Sequence, residues 1–199
     1  NANFINAKID MEKGEGLMLA KEYNVQAYPT FLFIDGDGVL VHTSLGYMSA
    51  SELIIAGETA LNPRKNVKGL SEQYAANPLD DEITLKYINS LISIDSPELL
   101  EVGKNYLKRQ KNWFSMQNED LIVSMIQMED STIRNYILNN WETYLANKQN
   151  FSLTFQEYFP YKIASFEIFF NIDNYKTDDA FKTLTSKIKI TKEDKSYNA

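Results

Sequence analysis

The stretch NVQAYPTFLFIDGDGVLVHTSLGY, Asn24 to Tyr47, decides how the chain is read. A proline stands directly before an apolar run, and Asp-Gly is repeated at the far end of that run. Proline has no backbone N–H, and the bond preceding it is the one peptide bond whose cis form costs only about 0.5–1 kcal/mol. Pro29 is therefore either an inert strand opener or part of a loop shaped toward a site. Thr30 to Ile34 is apolar on both faces, the pattern of a central strand covered from both sides. Asp35 to Gly38 supplies residues that tolerate positive φ, and Val39, Val41 and Thr43 then alternate with Leu40, His42 and Ser44, which predicts a hairpin with a tight return.

The flanks extend this unit. Phe4, Ile5, Ala7 and Ile9 predict a short buried strand, and EGLMLAKEYNV predicts a helix with Glu15 near its N-terminal end, where a negative charge suits the macrodipole. Beyond Gly46, Ser49 stands three residues before Glu52, the spacing of a capping box. The helix it starts is expected to carry Leu53, Ala56, Ala60 and Leu61 and to stop before Pro63.

Strand, helix, V-x-A-Y-P-T-F-L-F-I-D, Asp-Gly hairpin, Gly46 and a capped helix together resemble the second half of a thioredoxin fold, as found in bacterial thioredoxin-like proteins with an extra helical region behind that domain. The resemblance covers residues 1–62. It implies a partial thioredoxin-like fold in which Pro29 is cis and the loop Tyr28, Pro29 and Thr30 binds a polypeptide substrate. It also implies a redox-active Cys-x-x-C upstream of the strand at residues 4–9, so both halves of a thiol–disulfide oxidoreductase would be present only in a longer parent. The family places another strand, from that upstream segment, between those matching residues 4–9 and 30–34, so the fragment is expected to be poorly stable alone. The chain opens on NFINAKID with no initiator Met and closes on KSYNA with no stop signal, and truncation at both ends is expected. Bacterial relatives are often in the periplasm or cell envelope, which the resemblance carries over as an expectation beside the cytoplasm.

Residues 63–199 predict helix after helix: Val67, Leu70 and Tyr74 before Pro78; Ile83, Tyr87 and Leu91; Ser96 as an N-cap with Pro97 at the first helical position, then Leu99, Gly103 and Tyr106 on one face with Leu100 and Leu107 beside it. Leu121, Ile122, Met125 and Ile126 follow Asn118. Ile133, Ile137, Trp141 and Leu145 come next, then Phe155, Phe159, Ile163, Phe166 and Phe170, with Pro160 ending or kinking that helix. Thr177 caps a last helix bearing Phe181, Leu184 and Ile188. Helix pairs recur with a period close to the tetratricopeptide repeat of about 34 residues, without that repeat's residue signature, which predicts an irregular TPR-like antiparallel array. The fold class is thus α/β followed by all-α.

Composition narrows the chemistry. With 199 residues, 44% of them hydrophobic and 24% charged, the chain is ordinary globular material. A formal charge of −7 argues against a duplex nucleic-acid binder and against adsorption to an anionic membrane, and no apolar run reaches the roughly 20 residues of a membrane span. There is no cysteine and one histidine, so this chain by itself builds no thiolate nucleophile, zinc cage or Cys/His dyad. His42 reads as a surface residue of an alternating strand. Asp35 to Gly38 lacks the spacing and terminal Glu of a calcium loop, and Gly36 and Gly38 lack the third glycine and helix of a dinucleotide site. No catalytic residue, metal ligand or cofactor is assigned. Phe155 to Phe170 reads as core between helices, with a partner groove as the other reading, and Lys187, Lys189, Lys192 and Lys195 read as a solvated face. Two functions remain: a thiol–disulfide oxidoreductase parent with a polypeptide substrate, or a redox-inactive thioredoxin-like, helical-repeat module that binds a protein partner.

Overall fold

A computed structural model describes residues 3–128 and 130–188. Among the described residues there are ten α-helices and one antiparallel sheet of two strands. The chain divides into two compact units, one running to Ile94 and one beginning at Asp95. The expected boundary between residues 1–62 and 63–199 falls inside the first unit, just after a helix.

In the first unit, α1 (Gly16–Glu22) precedes β1 (Thr30–Ile34) and β2 (Leu40–Leu45), followed by α2 (Ala50–Ala60), α3 (Val67–Ala76) and α4 (Asp81–Ser93). The Asp-Gly repeat makes the hairpin. The Asp35 carboxylate accepts from the amides of Asp37 and Val39 at 3.0 and 2.9 Å, and Gly38 takes φ +81°, a conformation that a Cβ would strain. Phe33 pairs with His42 and Ile34 with Leu40, so Val41 has no partner opposite and forms a bulge. Ser49 and Glu52 form the expected capping box of α2.

Several expectations are corrected here. Residues 4–9 form no strand, since no described strand lies beside them to pair with; Ile5 is fully exposed, and Phe4 alone reaches the sheet, edge-on to Phe33 at 5.7 Å. Among the described residues β1 is not a central strand: it pairs there with β2 alone, and none of its five residues is buried. Leu53 and Leu61 face solvent, because α2 packs through the small residues Ala56, Gly57 and Ala60. His42 is buried, on the side of β2 that faces Phe33 across the ladder.

Helix α3 packs on both β2 and α4. Asn66 makes the corner: its side-chain NH₂ donates to the Ala60 carbonyl that ends α2, and its oxygen accepts from the Gly69 amide that starts α3. Gly69 must be glycine, because a Cβ there would stand 1.8 Å from the Pro63 carbonyl oxygen. Tyr74 and Tyr87 stack at 5.2 Å between α3 and α4.

The second unit holds α5 (Leu99–Arg109), α6 (Glu119–Ile126), α7 (Ser131–Asn139), α8 (Trp141–Asn147), α9 (Leu153–Phe170) and α10 (Asp178–Lys187). The expected apolar positions Leu121, Ile122, Met125, Ile126, Ile133 and Ile137 are all 0–1% exposed. The helix at Ser96–Pro97 begins as a turn, with the Ser96 carbonyl accepting from Leu99, and regular α-helix starts two residues later than the capping signal implied. Asn140 interrupts the run from Ile133 to Leu145, giving two helices, so Tyr144 rather than Leu145 enters the core. Pro160 lies inside α9, which continues through it. Phe155, Phe159 and Ile163 are buried, Phe155 and Phe159 stacking at 4.4 Å and Trp141 and Tyr144 packing on Phe159; the aromatic stretch is core there, not a groove. Thr177 caps α10 as expected, while Lys189, Lys192 and Lys195 lie outside the described residues.

A buried cation ties this unit together. Arg134 donates to the carbonyls of Ile126 and Met128 at the C-terminal end of α6, where a positive charge complements the helix dipole, lies over the Phe170 ring at 4.4 Å, and faces Glu167 at 3.7 Å. Tyr175 donates to Glu167, and burial, with that carboxylate beside it, raises its pKa to about 12. Among the described residues no helix is long and apolar enough to cross a membrane.

Two outcomes follow from these contacts. Gly69→Ala is expected to destabilise the first unit by roughly 1–3 kcal/mol through backbone overlap, read as a lower urea midpoint by circular dichroism. In the second unit, a hydrogen bond from Lys104, aided by one from Thr132, lowers the Asp130 pKa from 3.8 to about 2. A depressed carboxylate pKa stabilises above the unfolded value and loses that contribution as pH falls from 3.8 toward 2. Asp130→Asn is therefore expected to be less stable than the parent at neutral pH, with the gap closing over that acid window. Fluorescence of Trp113 and Trp141, both in this unit, reads it.

Candidate functional site

The loop entering β1 is built by local bonds. The Val25 amide donates to the Ala20 carbonyl at 2.8 Å, ending α1, and Asn24 turns the chain with φ +50°. The Tyr23 hydroxyl donates to the Gly38 carbonyl at 3.1 Å, pinning the helix end to the hairpin tip. Thr30 donates its hydroxyl to the Ala27 carbonyl at 2.6 Å, closing a loop over Tyr28 and Pro29. The Tyr28–Pro29 bond is cis, and the Tyr28 side chain is 57% exposed. The three residues singled out in the sequence are thus contiguous on the surface, at the entry to the sheet.

The ladder fixes what this entry offers. Pro29 accepts from the Gly46 amide at 2.9 Å, and Thr30 lies opposite Leu45. Antiparallel pairing alternates, so the main chains of Phe31 and Phe33 turn to β2, and those of Thr30, Leu32 and Ile34 turn to the opposite edge. Among the described residues no strand occupies that edge. Pro29 lies on the β2 side of the alternation, where its missing N–H leaves the outer edge uninterrupted. The arrangement leaves the main-chain groups of Thr30, Leu32 and Ile34 without a ladder partner among the described residues.

A second feature escaped sequence reading. A recess of about 320 Å³ opens between β2, α2 and the end of α4, lined among others by His42, Ser44, Met48, Glu52, Thr59 and Ser93. His42 is 9% exposed, and its Nδ1 has no hydrogen-bond partner among the described residues. Burial lowers its pKa from 6.5 and favours the neutral ring. The carboxylate of Glu52 is held below its usual range by hydrogen bonds from the Ser49 hydroxyl and amide. The alternation in Val39 to Ser44 carried the signal for a two-faced strand, but the face covered by α2 is decided by the bulge at Val41, which has no sequence mark. Among the described residues, no group of three or more His, Cys, Asp or Glu side chains is placed to hold a metal ion.

His42 gives a direct test, since it is the one histidine of the chain. Its ring-proton NMR titration is expected to have a midpoint below 6.5, and a midpoint at or above that value contradicts the burial described here. Because the unfolded chain binds the proton more tightly, acidification below 6.5 should cost the first unit stability, and His42→Leu should remove that dependence.

Compared with protein-family models, with curated proteins and with solved structures, the chain finds no match in any of the three.

Proposed function

We propose that this chain is the later part of a thioredoxin-like protein whose parent is a thiol–disulfide oxidoreductase, followed by a TPR-like helical region. The observation that carries the reading is the order of parts around one surface: an exposed Tyr28, Pro29, a strand with an open main-chain edge, an Asp35 to Gly38 hairpin, and a Ser49-capped helix. In this reading a Cys-x-x-C upstream of Phe4 supplies the chemistry. Its thiolate attacks one sulfur of a substrate disulfide, the S–S bond breaks, and the other substrate sulfur leaves as thiolate. The second cysteine then displaces the mixed disulfide, so the substrate ends reduced and the cysteine pair oxidised. Tyr28, Pro29 and Thr30 hold the substrate polypeptide by main-chain contacts while this happens. The resemblance suggests the periplasm or cell envelope, with the cytoplasm as the other location.

A second reading takes the domain as redox-silent and the helical region as a module that binds a protein partner. It is favoured by the absence of cysteine from all 199 residues. The protein extended upstream decides between the two. The first reading expects a Cys-x-x-C before Phe4 and reduction of insulin disulfides by the extended protein, lost when either cysteine becomes serine. An upstream sequence without the pair, or an extended protein without reductase activity, leaves the interaction module.

A further inference from the structure

We infer that the recess beside His42 binds a primary alkylammonium group, its N–H donors shared between the Glu52 carboxylate and hydroxyl oxygens and its alkyl stem laid on Leu45, Met48 and Ile55. The inference does not rest on the redox reading. The recess is lined by residues of β2, the turn after it, α2 and the end of α4, and by none of β1, the strand beside which the resemblance places an upstream segment. Its volume of about 320 Å³ suits a small molecule.

The lining is rich in acceptors and carries no cation: none of the residues that form it is Lys or Arg. Its carboxylate is held in place. Glu52 Oε2 accepts from the Ser49 amide and hydroxyl, both at 2.7 Å, which keeps the group ionised and leaves Oε1 without a partner among the described residues. Ser44, Thr59 and Ser93 add hydroxyl oxygens, and that of Ser93 already donates to the Ser90 carbonyl at 2.7 Å, so toward a ligand it accepts. His42 is the second observation. It is nine-tenths buried, its Nδ1 is sealed from solvent, and the ring makes no hydrogen bond among the described residues, which leaves Nε2 as the nitrogen open to the recess it lines. Burial favours the neutral ring, so His42 adds a polar group without a positive charge that would repel a cation. A metal ion finds too few ligands, because among the described residues no three His, Cys, Asp or Glu side chains are placed to hold one. An organic ammonium asks less: one carboxylate, a few oxygens and an apolar wall for its carbons.

Proton NMR of the full chain tests this, with n-butylammonium as the probe at about pH 8, where the His42 ring is neutral. His42 is the one histidine, so its ring signals report on the recess directly. They are expected to shift saturably, with half-saturation on the order of millimolar. Methylammonium, which lacks the stem, should bind about fourfold or more weakly, and n-butanol, which lacks the charge, should leave the signals in place. Glu52→Gln removes the charge yet preserves the capping box, in which glutamine also serves, and should weaken n-butylammonium about two- to fivefold, the effect of an accessible charge. Tighter binding of N-acetyl-lysinamide than of n-butylammonium would assign the group to a lysine side chain of a polypeptide, and weaker binding to a free amine. Ring signals that n-butylammonium never moves overturn the inference, as do equal shifts with n-butanol, or a folded Glu52→Gln that binds unchanged. Should Glu52→Gln fail to fold, the comparison of n-butylammonium with n-butanol on the unsubstituted chain decides alone.

Discussion

The first unit depends on a ladder that is satisfied on one side only. Each residue of a strand offers its amide and carbonyl to one edge, and in β1 that alternation commits Phe31 and Phe33 to β2 while Thr30, Leu32 and Ile34 face outward. An isolated hairpin is marginal in water, so its surroundings must hold it. The Asp35 turn, the Tyr23 tie to Gly38 and the small-residue face of α2 do this from within the unit. They cover one face of the sheet through Phe4, Phe33 and His42, and leave the outer edge of β1 unpaired by any described strand. The partial exposure of TFLFI descends from that asymmetry.

The second unit is held by different physics. Its core is aromatic and aliphatic with near-complete burial, and the deeply buried Arg134 is engaged by helix-end carbonyls, Glu167 and the Phe170 ring. Removing one partner of such a set costs about 3–5 kcal/mol, more than an exposed pair would. The two units therefore differ in what limits them: the first leaves one edge of its sheet unpaired by any described strand, whereas the described helices of the second share a well-buried core.

Much of this was legible in the residues. Periodicity placed Leu121 to Ile126 and Ile133 to Ile137 in the core, and cap chemistry placed the starts of the helices at Ser49 and Thr177, because those signals are local. What was missed is tertiary. Residues 4–9 have a strand pattern with no described strand to pair with, α2 chose alanine and glycine over leucine for its packing face, and Asn140 broke a run that apolar spacing alone made continuous. The Tyr28, Pro29 and Thr30 loop was readable because proline marks it; the recess beside His42 was not, because a bulge one residue away decides which face is covered.

Amide hydrogen exchange along β1 tests the central claim most directly. The account requires slow exchange at Phe31 and Phe33 and fast exchange at Thr30, Leu32 and Ile34. Slow exchange at all five amides would show that the outer edge is occupied as well, and would contradict it.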